Sequence, residues 1–478
     1  MSPHRLAAGV LLPGFHGTTA PDWLLARLAD GLGGVVYFGR NVVDDAQVTA
    51  LSAQLRAVRA DVVIGIDEEG GDVTRLDYGR GSEVPGNHAL GAAGDPDLTR
   101  AVAASVGARL AACGVSLNLA PSADLVLTLD DPVIGVRSFG SDPMAAGVHV
   151  AAYVEGMQAV GVAACAKHFP GHGASTVDSH AALPVLPRTV AELAAVEFVP
   201  FRSAVAAGVR SIMTGHLVVP EWGAEPATLN PVAVRVLREQ LGFTGAIVTD
   251  GLDMKAVGGD LAAGAVRSLV AGADALCLGG EPLDDAGLQW LIDSIVAAVE
   301  SGTLPLERLA EAARRTAALG VPPARVEAHD ASLGSEAARR AVEVRGTLAL
   351  SGPPVVLDLE VEASIAVGDV PWGLGPYLTE LIPGTTVVSA RTADEVAAVA
   401  AGRTVVVVTR EAHRFPFTRD LVSSLAKIGL DLVHVETGVP GPDLGTVARV
   451  DTHGGSRVCL RAAAERIAAS QRLEQGNQ

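Results

Sequence analysis

The segment Val62–Asp67 (VVIGID) and the segment Val162–His168 (VAACAKH) each join a short apolar run directly to strongly polar side chains. Runs of this length and composition are typical of buried strands. Eight of them recur in the first 280 residues, and amphipathic or Ala-rich helical patterns lie between them. The runs are Val10–Leu12, Gly34–Phe38, Val62–Ile66, Val115–Leu119, Val162–Ala166, Ile212–Met213, Ala246–Val248 and Ala275–Leu278. Strands that alternate with helices indicate right-handed βαβ units and a parallel sheet. Eight such units predict a (β/α)8 TIM barrel, for which about 250 residues are typical.

Polar residues stand at or just after the ends of these runs. They are Asp67, Asn118, Lys167, His168, His216 and Asp250. In a TIM barrel these positions form the carboxyl-terminal face, where active sites are built. Helix capping would explain Asp or Asn there, but it would not explain Lys or His.

The pattern breaks at Gly320–His329, which contains Gly-Val-Pro-Pro and is typical of a linker. Beyond it we predict a helix over Glu336–Val344 and a strand over Thr347–Leu350. Further strands are predicted at Val355–Leu357, Val387–Val388, Thr404–Val408 and Leu432–Val435. The chain is therefore predicted to be α/β throughout, with a TIM-barrel catalytic domain at residues 1–325 and a smaller C-terminal α/β sandwich domain at residues 326–478.

Composition limits the partners. A formal net charge of −18 argues against nucleic acid and anionic membranes, because each phosphate contact needs a local Lys or Arg. Neither a signal peptide nor an apolar stretch of about 18 residues is evident, so we expect a cytoplasmic protein without a membrane segment. The four cysteines are scattered and form no CxxC pair, which favours buried hydrophobic roles.

The most informative stretch is Lys167–Gly173 (KHFPGHG), which Asp178-Ser179-His180 follows. Its proline and glycines favour a tight, non-helical path that could carry the later residues back over the strand ends. Asp178, two residues before His180, can accept a proton from one ring nitrogen and leave the other for proton transfer.

Asp250 ends the seventh run, and Gly251 leaves space beside it. Such a carboxylate can attack an anomeric carbon and form a covalent glycosyl-enzyme. Asp250 could instead cap the following helix, but Asp253 fits that capping role better and leaves Asp250 free to react. Asp67 could accept hydrogen bonds from sugar hydroxyls, and Arg75 and Arg137 could donate them.

At these residues the sequence resembles glycoside hydrolase family 3, and most closely its β-N-acetylhexosaminidase branch. The resemblance rests on these segments in the family's order: Gly34–Asn41, Ile66–Gly71, Ile134–Gly140, Lys167–His180, Met213–His216, Pro226–Leu229 and Val248–Asp250. It implies a retaining β-N-acetylglucosaminidase that needs no metal or cofactor. Its expected substrate is a small carbohydrate, an N-acetylglucosaminide such as a muropeptide or a chitin fragment.

The resemblance also implies residue roles. Asp250 matches the nucleophile, and His180 matches the acid/base that Asp178 supports. The matched sugar-binding positions are Asp67, Arg75, Arg137, Lys167 and His168. Asp72, Glu68 and Ala174 depart from the family pattern, and we expect Asp72 to alter the charge at the rim of the site.

Three alternatives stay open. A β-glucosidase-type or phosphorolytic enzyme of the same family would act on a related β-glycoside. A metal-dependent amidohydrolase would also use His and Asp on a barrel, although the His-x-His it normally needs at a strand end is missing. A sugar-binding protein would have lost Asp250, Asp178 or His180, and all three are present.

Overall fold

The computed structural model describes residues 1–177, 182–254, 259–280, 282–323, 329–362, 364 and 366–475, with side chains up to residue 471. This part of the chain divides into two compact units. The first unit comprises Met1–Glu69, Pro96–Ile134 and Ser141–Asp330. The second comprises Gly70–Asp95, Gly135–Gly140 and Ala331–Gln478.

The first unit contains eight strands, at the places where the sequence predicts them. They are β1 (Leu11–Pro13), β2 (Gly34–Tyr37), β3 (Val63–Ile66), β4 (Leu117–Asn118), β5 (Ala163–Phe169), β6 (Ser211–Thr214), β7 (Ala246–Thr249) and β8 (Leu276–Leu278). Strands β2 to β7 form a parallel sheet in sequence order, and β1 pairs in parallel with β8. A parallel bridge between Val248 and Ala275 links β7 to the start of β8. The predicted parallel α/β architecture is confirmed.

The core of the first unit lies on the inner face of this sheet. One cluster of buried side chains takes a member from each of the eight strands: Leu12, Val36, Val63, Leu117, Cys165, Met213, Val248 and Cys277. Because side chains alternate between the faces of a strand, the sheet must curl for all eight strands to share one cluster.

Helices separate these strands along the chain. They are α1 (Pro3–Gly9), α2 (Asp22–Asp30), α3 (Asp45–Val58), α4 (Asn87–Ala93), α5 (Pro96–Ala112), α6 (Pro143–Ala159), α7 (Val190–Ala195), α8 (Phe198–Ala206), α9 (Pro231–Arg235), α10 (Leu261–Ala271), α11 (Asp285–Glu300) and α12 (Leu306–Ala317). Of these, α4 belongs to the second unit. Asp44, Asp142, Asp260 and Asp284 each cap a helix by accepting a backbone N–H from its first turn. Within the described ranges, no helix has both the length and the apolar character needed to cross a bilayer.

The second unit is a doubly wound α/β structure. Its remaining elements are α13 (Ala331–Ala341), β9 (Glu343–Gly346), β10 (Val355–Asp358), α14 (Gly375–Leu381), β11 (Thr386–Val387), α15 (Ala393–Ala400), β12 (Val405–Thr409), α16 (Pro416–Lys427), β13 (Leu432–Glu436), β14 (Ala448–Asp451) and α17 (Arg457–Gln475). The strand order is β11-β10-β12-β13-β14-β9, in which β9 is antiparallel and the other pairs are parallel. Two apolar clusters pack helices against opposite faces of this sheet.

Two predictions for this region are wrong. The strand expected at Thr347–Leu350 lies instead at Glu343–Gly346, and the helix before it ends at Ala341. Strand β9 lies at the sheet edge with largely exposed side chains, so it carries no apolar run. Strand β14 is not predicted from the sequence, because its buried Arg449 and Asp451, which bond to each other at 2.6 Å, interrupt its apolar pattern.

The predicted division between residues 325 and 326 lies outside the described residues and stays a prediction. The second unit also takes in Gly70–Asp95 and Gly135–Gly140, two segments that the sequence analysis places within the barrel.

Candidate active site

Four of the predicted site residues lie at the carboxyl ends of strands in the first unit. Asp67 follows β3, Lys167 and His168 lie in the last part of β5, and Asp250 follows β7. Because the strands run parallel, their carboxyl ends meet at one edge of the sheet.

Lys167 is the buried cation of this edge. Its Nζ atom lies 2.6 Å from Oδ1 of Asp67 and 2.7 Å from Oε1 of Glu69. The Lys167 side chain is 2% exposed, whereas that of Asp67 is 19% exposed. A buried ammonium needs such partners because its desolvation is costly. Lys167 therefore orients Asp67, which still reaches solvent.

Asp250 is held by the backbone around it. Its N–H donates to the carbonyl of Thr214 at 3.1 Å, and its Oδ1 atom accepts from the N–H of Gly251 at 2.8 Å. His216 Nε2 lies 2.8 Å from the carbonyl oxygen of Gly251, and its Nδ1 lies 2.9 Å from Oγ1 of Thr228. Asp250 is partly exposed, and backbone groups at the ends of β6 and β7 fix its orientation. A carboxylate nucleophile requires such positioning.

Two buried thiols, Cys165 and Cys277, respond to the charges of these groups. Burial raises the pKa of Cys165 to about 12, and the charge of Lys167 lowers it while the charges of Asp67 and Asp250 raise it further. The pKa of Cys277 is raised well above its ordinary value by burial, and the same three charges act on it. The charges of Asp67, Lys167 and Asp250 therefore all act on the same two buried thiols. All four cysteines are free and buried, as the sequence predicts.

His168 is held by Asp124, a residue that the sequence analysis missed. The Nδ1 atom of His168 lies 2.7 Å from Oδ2 of Asp124, whose Oδ1 atom accepts from the N–H of His172 at 2.7 Å. Burial raises the pKa of Asp124. The charge of His168 and the hydrogen bonds from the His168 side chain and the His172 backbone nevertheless bring that pKa below its usual value. An ionised Asp124 fixes the ring of His168 through Nδ1.

The loop after β5 is described on both sides of the predicted acid/base pair. Asp178 and His180 themselves lie outside the described residues, so their geometry stays a prediction. On the first side, the carbonyl of Gly173 accepts from the N–H of Leu127 at 3.1 Å. A Cβ at position 173 would lie 1.5 Å from the carbonyl oxygen of Leu125, so only glycine fits there.

On the far side of this loop, the chain is anchored again. The N–H of Leu186 donates to the carbonyl of Val218 at 2.9 Å. The guanidinium of Arg188 lies 2.8 Å from Oε1 of Glu197, whose side chain is 1% exposed. Both stems of the loop are therefore fixed to the first unit.

The two predicted arginines lie in the second unit. Arg75 donates to the carbonyl of Ala366 at 3.0 Å, and the carbonyl of Arg137 accepts from the side chain of Asn87 at 2.7 Å. Both arginine side chains are buried. The structure thus places Asp67, Lys167, His168 and Asp250 at the same edge of the sheet of the first unit, and a common site for these four with Arg75 and Arg137 stays a prediction.

Two expectations about neighbouring carboxylates need correction. Asp72 is buried in the second unit, where its Oδ1 atom accepts from the N–H of Gly455 at 2.7 Å, so it is not an exposed rim charge. Among the described residues, the helix that follows Asp253 is α10, and Asp253 is not its cap. It accepts from the N–H of Gly279 at 3.2 Å, and Asp260 caps α10.

Comparisons with known proteins identify the family of this chain. Residues 21–319 match the family model of the glycosyl hydrolase family 3 N-terminal domain. A β-hexosaminidase of Thiobacillus denitrificans is 40% identical over 281 residues, which cover 57% of this chain and 77% of that protein. One of Stenotrophomonas maltophilia (strain R551-3) is 40% identical over 259 residues, 52% of this chain and 76% of that protein.

The same likeness extends over both units. The structure of a family 3 β-N-acetylglucosaminidase from Paenibacillus sp. matches with a TM-score of 0.88 and 31% identity, covering 98% of this chain and 97% of that one. Because the family model covers more than half of the chain, and a named relative is 40% identical over most of its own length, this protein belongs to glycosyl hydrolase family 3.

Proposed function

We propose that this protein is a retaining β-N-acetylglucosaminidase that removes a terminal, non-reducing β-linked N-acetylglucosamine. The observation that carries the proposal is Asp250, a partly exposed carboxylate fixed at the end of β7, at the same edge of the sheet as the Asp67–Lys167 pair. The likeness to the Paenibacillus β-N-acetylglucosaminidase supports the choice of sugar.

The first step forms a covalent intermediate. An oxygen of Asp250 bonds to the anomeric carbon while the bond to the aglycone oxygen breaks, and His180 gives that oxygen its proton. In the second step neutral His180 takes a proton from water, the water oxygen bonds to the anomeric carbon, and Asp250 leaves as a carboxylate. Two inversions retain the β configuration.

The remaining residues hold the sugar in this proposal. Asp67, which Lys167 orients, accepts hydrogen bonds from the sugar hydroxyls. His168, whose imidazole Asp124 fixes, also contacts the sugar. Arg75 and Arg137 are the remaining sugar-binding residues of the proposal. No metal or cofactor enters either step.

The fold proposed for this chemistry is a closed (β/α)8 barrel followed by a C-terminal α/β sandwich. Support for closure comes from the pairing of β1 with β8 and from the hydrogen bond that the N–H of Gly33, just before β2, donates to the carbonyl of Ala8 at 2.9 Å. The shared core of all eight strands is also what a barrel requires.

Trapping tests the mechanism. A 5-fluoro N-acetylglucosaminyl fluoride should accumulate as a covalent adduct, and peptide mapping should find it on Asp250. A label on any other residue would overturn the mechanism. Faster turnover of an aryl β-glucoside than of the matching N-acetyl-β-glucosaminide would overturn the choice of sugar.

A second experiment asks whether water or phosphate accepts the glycosyl group from the enzyme. A histidine acid/base is neutral after it donates its proton, so an anionic acceptor or leaving group would be repelled less than by a glutamate. Turnover in excess phosphate should therefore be examined for glycosyl phosphate. Free sugar alone would identify water as the acceptor, and muropeptides and chitin oligosaccharides should then be compared as substrates.

A further inference from the structure

A cavity of about 380 Å³ lies at the amino-terminal edge of the sheet in the first unit. It is formed by the residues that directly precede β6 and β7 and by the ends of α8 and α12. Its lining includes Val205, Arg210, Thr244, Gly245, Arg314 and Leu319. The volume is within the range of small-molecule sites, about 300–1,000 Å³. In a parallel sheet of this kind, the amino-terminal edge is opposite the edge that carries the proposed active site.

Two exposed arginines of this lining have no carboxylate partner among the described residues. Arg210 directly precedes β6, and its Nη1 atom lies 3.3 Å from the carbonyl oxygen of Gly161. Arg314 is in the last turn of α12, and its guanidinium forms no ion pair with any described residue. Both side chains are exposed and line the cavity. Their positive charges are therefore available to a ligand.

The arginines behind the cavity do not remove this excess of positive charge. Arg238, Arg308 and Arg315 pack there, and within the described part of the chain they share two carboxylates. These belong to the buried Asp274 and the partly exposed Glu311. Burial lowers the pKa of Arg238, the charge of Asp274 raises it, and the charges of Arg315 and Arg308 lower it again. This edge is thus locally positive in a chain whose formal net charge is −18.

The turn before β7 adds hydrogen-bond donors to the cavity. Arg238 donates to the carbonyls of Phe243 and Gly245, at 3.0 and 2.7 Å, so these acceptors are occupied. The backbone N–H groups of Thr244 and Gly245 meet no acceptor within the described ranges. A Cβ at position 245 would lie 2.4 Å from the carbonyl oxygen of Arg210, so glycine allows this turn to pack directly against Arg210.

The end of α8 offers no competing acceptors. The carbonyl of Val205 accepts from the N–H of Gly208 at 3.0 Å, and the carbonyl of Gly208 accepts from Nε2 of Gln158 at 2.9 Å. The partial negative charge of a helix C-terminus resides on such carbonyls, and here they are already bonded. The groups that remain for a ligand are therefore mainly donors.

A phosphate group satisfies these donors best. Its dianion balances two guanidiniums that lack carboxylate partners, whereas a carboxylate would balance one. Its three terminal oxygens can accept from both arginines and from the backbone of the turn, and guanidinium groups bind phosphate through paired hydrogen bonds. Val205 and Leu319 add an apolar wall against which a small organic group can pack.

We propose that this cavity of the first unit binds a phosphate dianion, either free or as the head group of a small phosphate monoester. The site is independent of the proposed hydrolysis, because it uses no residue to which a catalytic or sugar-binding role is given above. A molecule bound there would stabilise the first unit from the edge opposite the proposed active site.

Hydrogen exchange on the full chain locates such binding directly. With glycerol 3-phosphate as probe, peptides that cover 207–212, 241–247 and 312–319 should become protected at millimolar concentration. Acetate and glycerol should protect them at least about fivefold more weakly, because they lack the second charge or any charge. Equal protection by inorganic phosphate would identify the free ion as the ligand, and weaker protection would identify the monoester. Equal protection by acetate would overturn the proposed ligand class.

Variants assign the protection to the two arginines. Arg314→Gln and Arg210→Gln should each weaken binding about tenfold, because each removes a charge-assisted hydrogen bond. Arg267→Gln removes an exposed arginine that is paired with Glu225 and should leave binding unchanged. Absence of protection in the unmodified chain, or binding that survives both substitutions combined, would overturn the site. A loss as large in Arg267→Gln would show attraction to overall charge and would also overturn it. Labelling of Asp250 is measured separately, so the two proposals fail independently.

Discussion

Ionisable side chains collect at the carboxyl ends of both sheets, but their surroundings differ. In the first unit, Asp67 and Asp250 are carboxylates that still reach solvent, and the cation between their strands is a buried lysine. In the second unit, Glu436 at the end of β13 is fully enclosed. Three backbone N–H groups and the hydroxyl of Thr409 donate to it. A carboxylate at a strand end is therefore a candidate for chemistry only where its bonds leave it access to a substrate.

The strongest test of this comparison is Asp250→Asn. The amide keeps the size of the side chain but is a poor nucleophile, so turnover should fall by roughly 10⁴-fold or more while the fold persists. Rates with an aryl N-acetyl-β-glucosaminide, together with thermal unfolding, measure both effects. Retention of more than a hundredth of the activity would remove Asp250 from the proposed role.

Lys167→Met tests the cation of the first unit. It leaves Asp67 and the buried Glu69 without their shared partner, which should cost about 3–5 kcal/mol of unfolding free energy. Displacement of Asp67 should also lower activity roughly 10²-fold. Denaturant unfolding and steady-state kinetics report the two losses.

The matched control for Lys167→Met is Arg238→Met. Arg238 bonds to the buried carboxylate of Asp274 at 2.7 Å, at the amino ends of β7 and β8. This variant should lower stability and leave turnover within about twofold, since the amino-terminal face of such a sheet serves stability. Equal losses of activity in both variants would show that Lys167 acts on stability alone.

These residues also show how far the sequence alone leads. It predicts all eight strands of the first unit and the strand-end positions of Asp67, Lys167 and Asp250, because each apolar run ends abruptly in a polar residue. Asp124 escapes prediction because it follows an irregular Pro-Ser-Ala segment, six residues beyond the end of β4. Arg75 and Arg137 fall within the predicted barrel domain, residues 1–325, but the structure groups them with the second unit, because membership of a compact unit depends on packing.

The loop after β5 offers a finer test of the first unit. Glu197→Gln weakens the ion pair with Arg188 that anchors the far stem, and the proposed acid/base should then lose its position. Acid catalysis matters most for poor leaving groups. Hydrolysis of N,N′-diacetylchitobiose should therefore fall about tenfold, whereas the 2,4-dinitrophenyl glycoside should change less than twofold.

Glu225→Gln is the control for that stem, because it removes an exposed ion pair with Arg267. It should leave both substrates unaffected. If Glu197→Gln slows both substrates equally, the stem supports the fold and does not position the acid/base.

The smallest effect on activity is expected at the enclosed carboxylate of the second unit. Burial raises the pKa of Glu436 from 4.5 to about 7, despite the hydrogen bonds that lower it. At a pH between 4.5 and about 7, Glu436 has lost its proton in the unfolded chain but keeps it in the folded chain. The unfolding free energy should therefore fall as pH rises from 4.5 to about 7, by at most on the order of 3 kcal/mol, and then level off.

Glu436→Gln should remove this pH dependence and leave turnover within about twofold. Hydrogen exchange of the amides in β12 and β13, corrected for the intrinsic effect of pH, reports the stability of this region. A loss of turnover as large as that of Asp250→Asn would mean that enclosure by backbone donors does not separate structural from reactive carboxylates. An unchanged pH slope in the variant would instead assign the slope to other buried groups. A slope of the opposite direction would point to His434, whose pKa burial lowers to about 3. His434 has the opposite sign, because the unfolded histidine binds a proton below 6.5 and stability then falls as pH falls. The direction of the slope thus identifies which of the two groups controls the second unit.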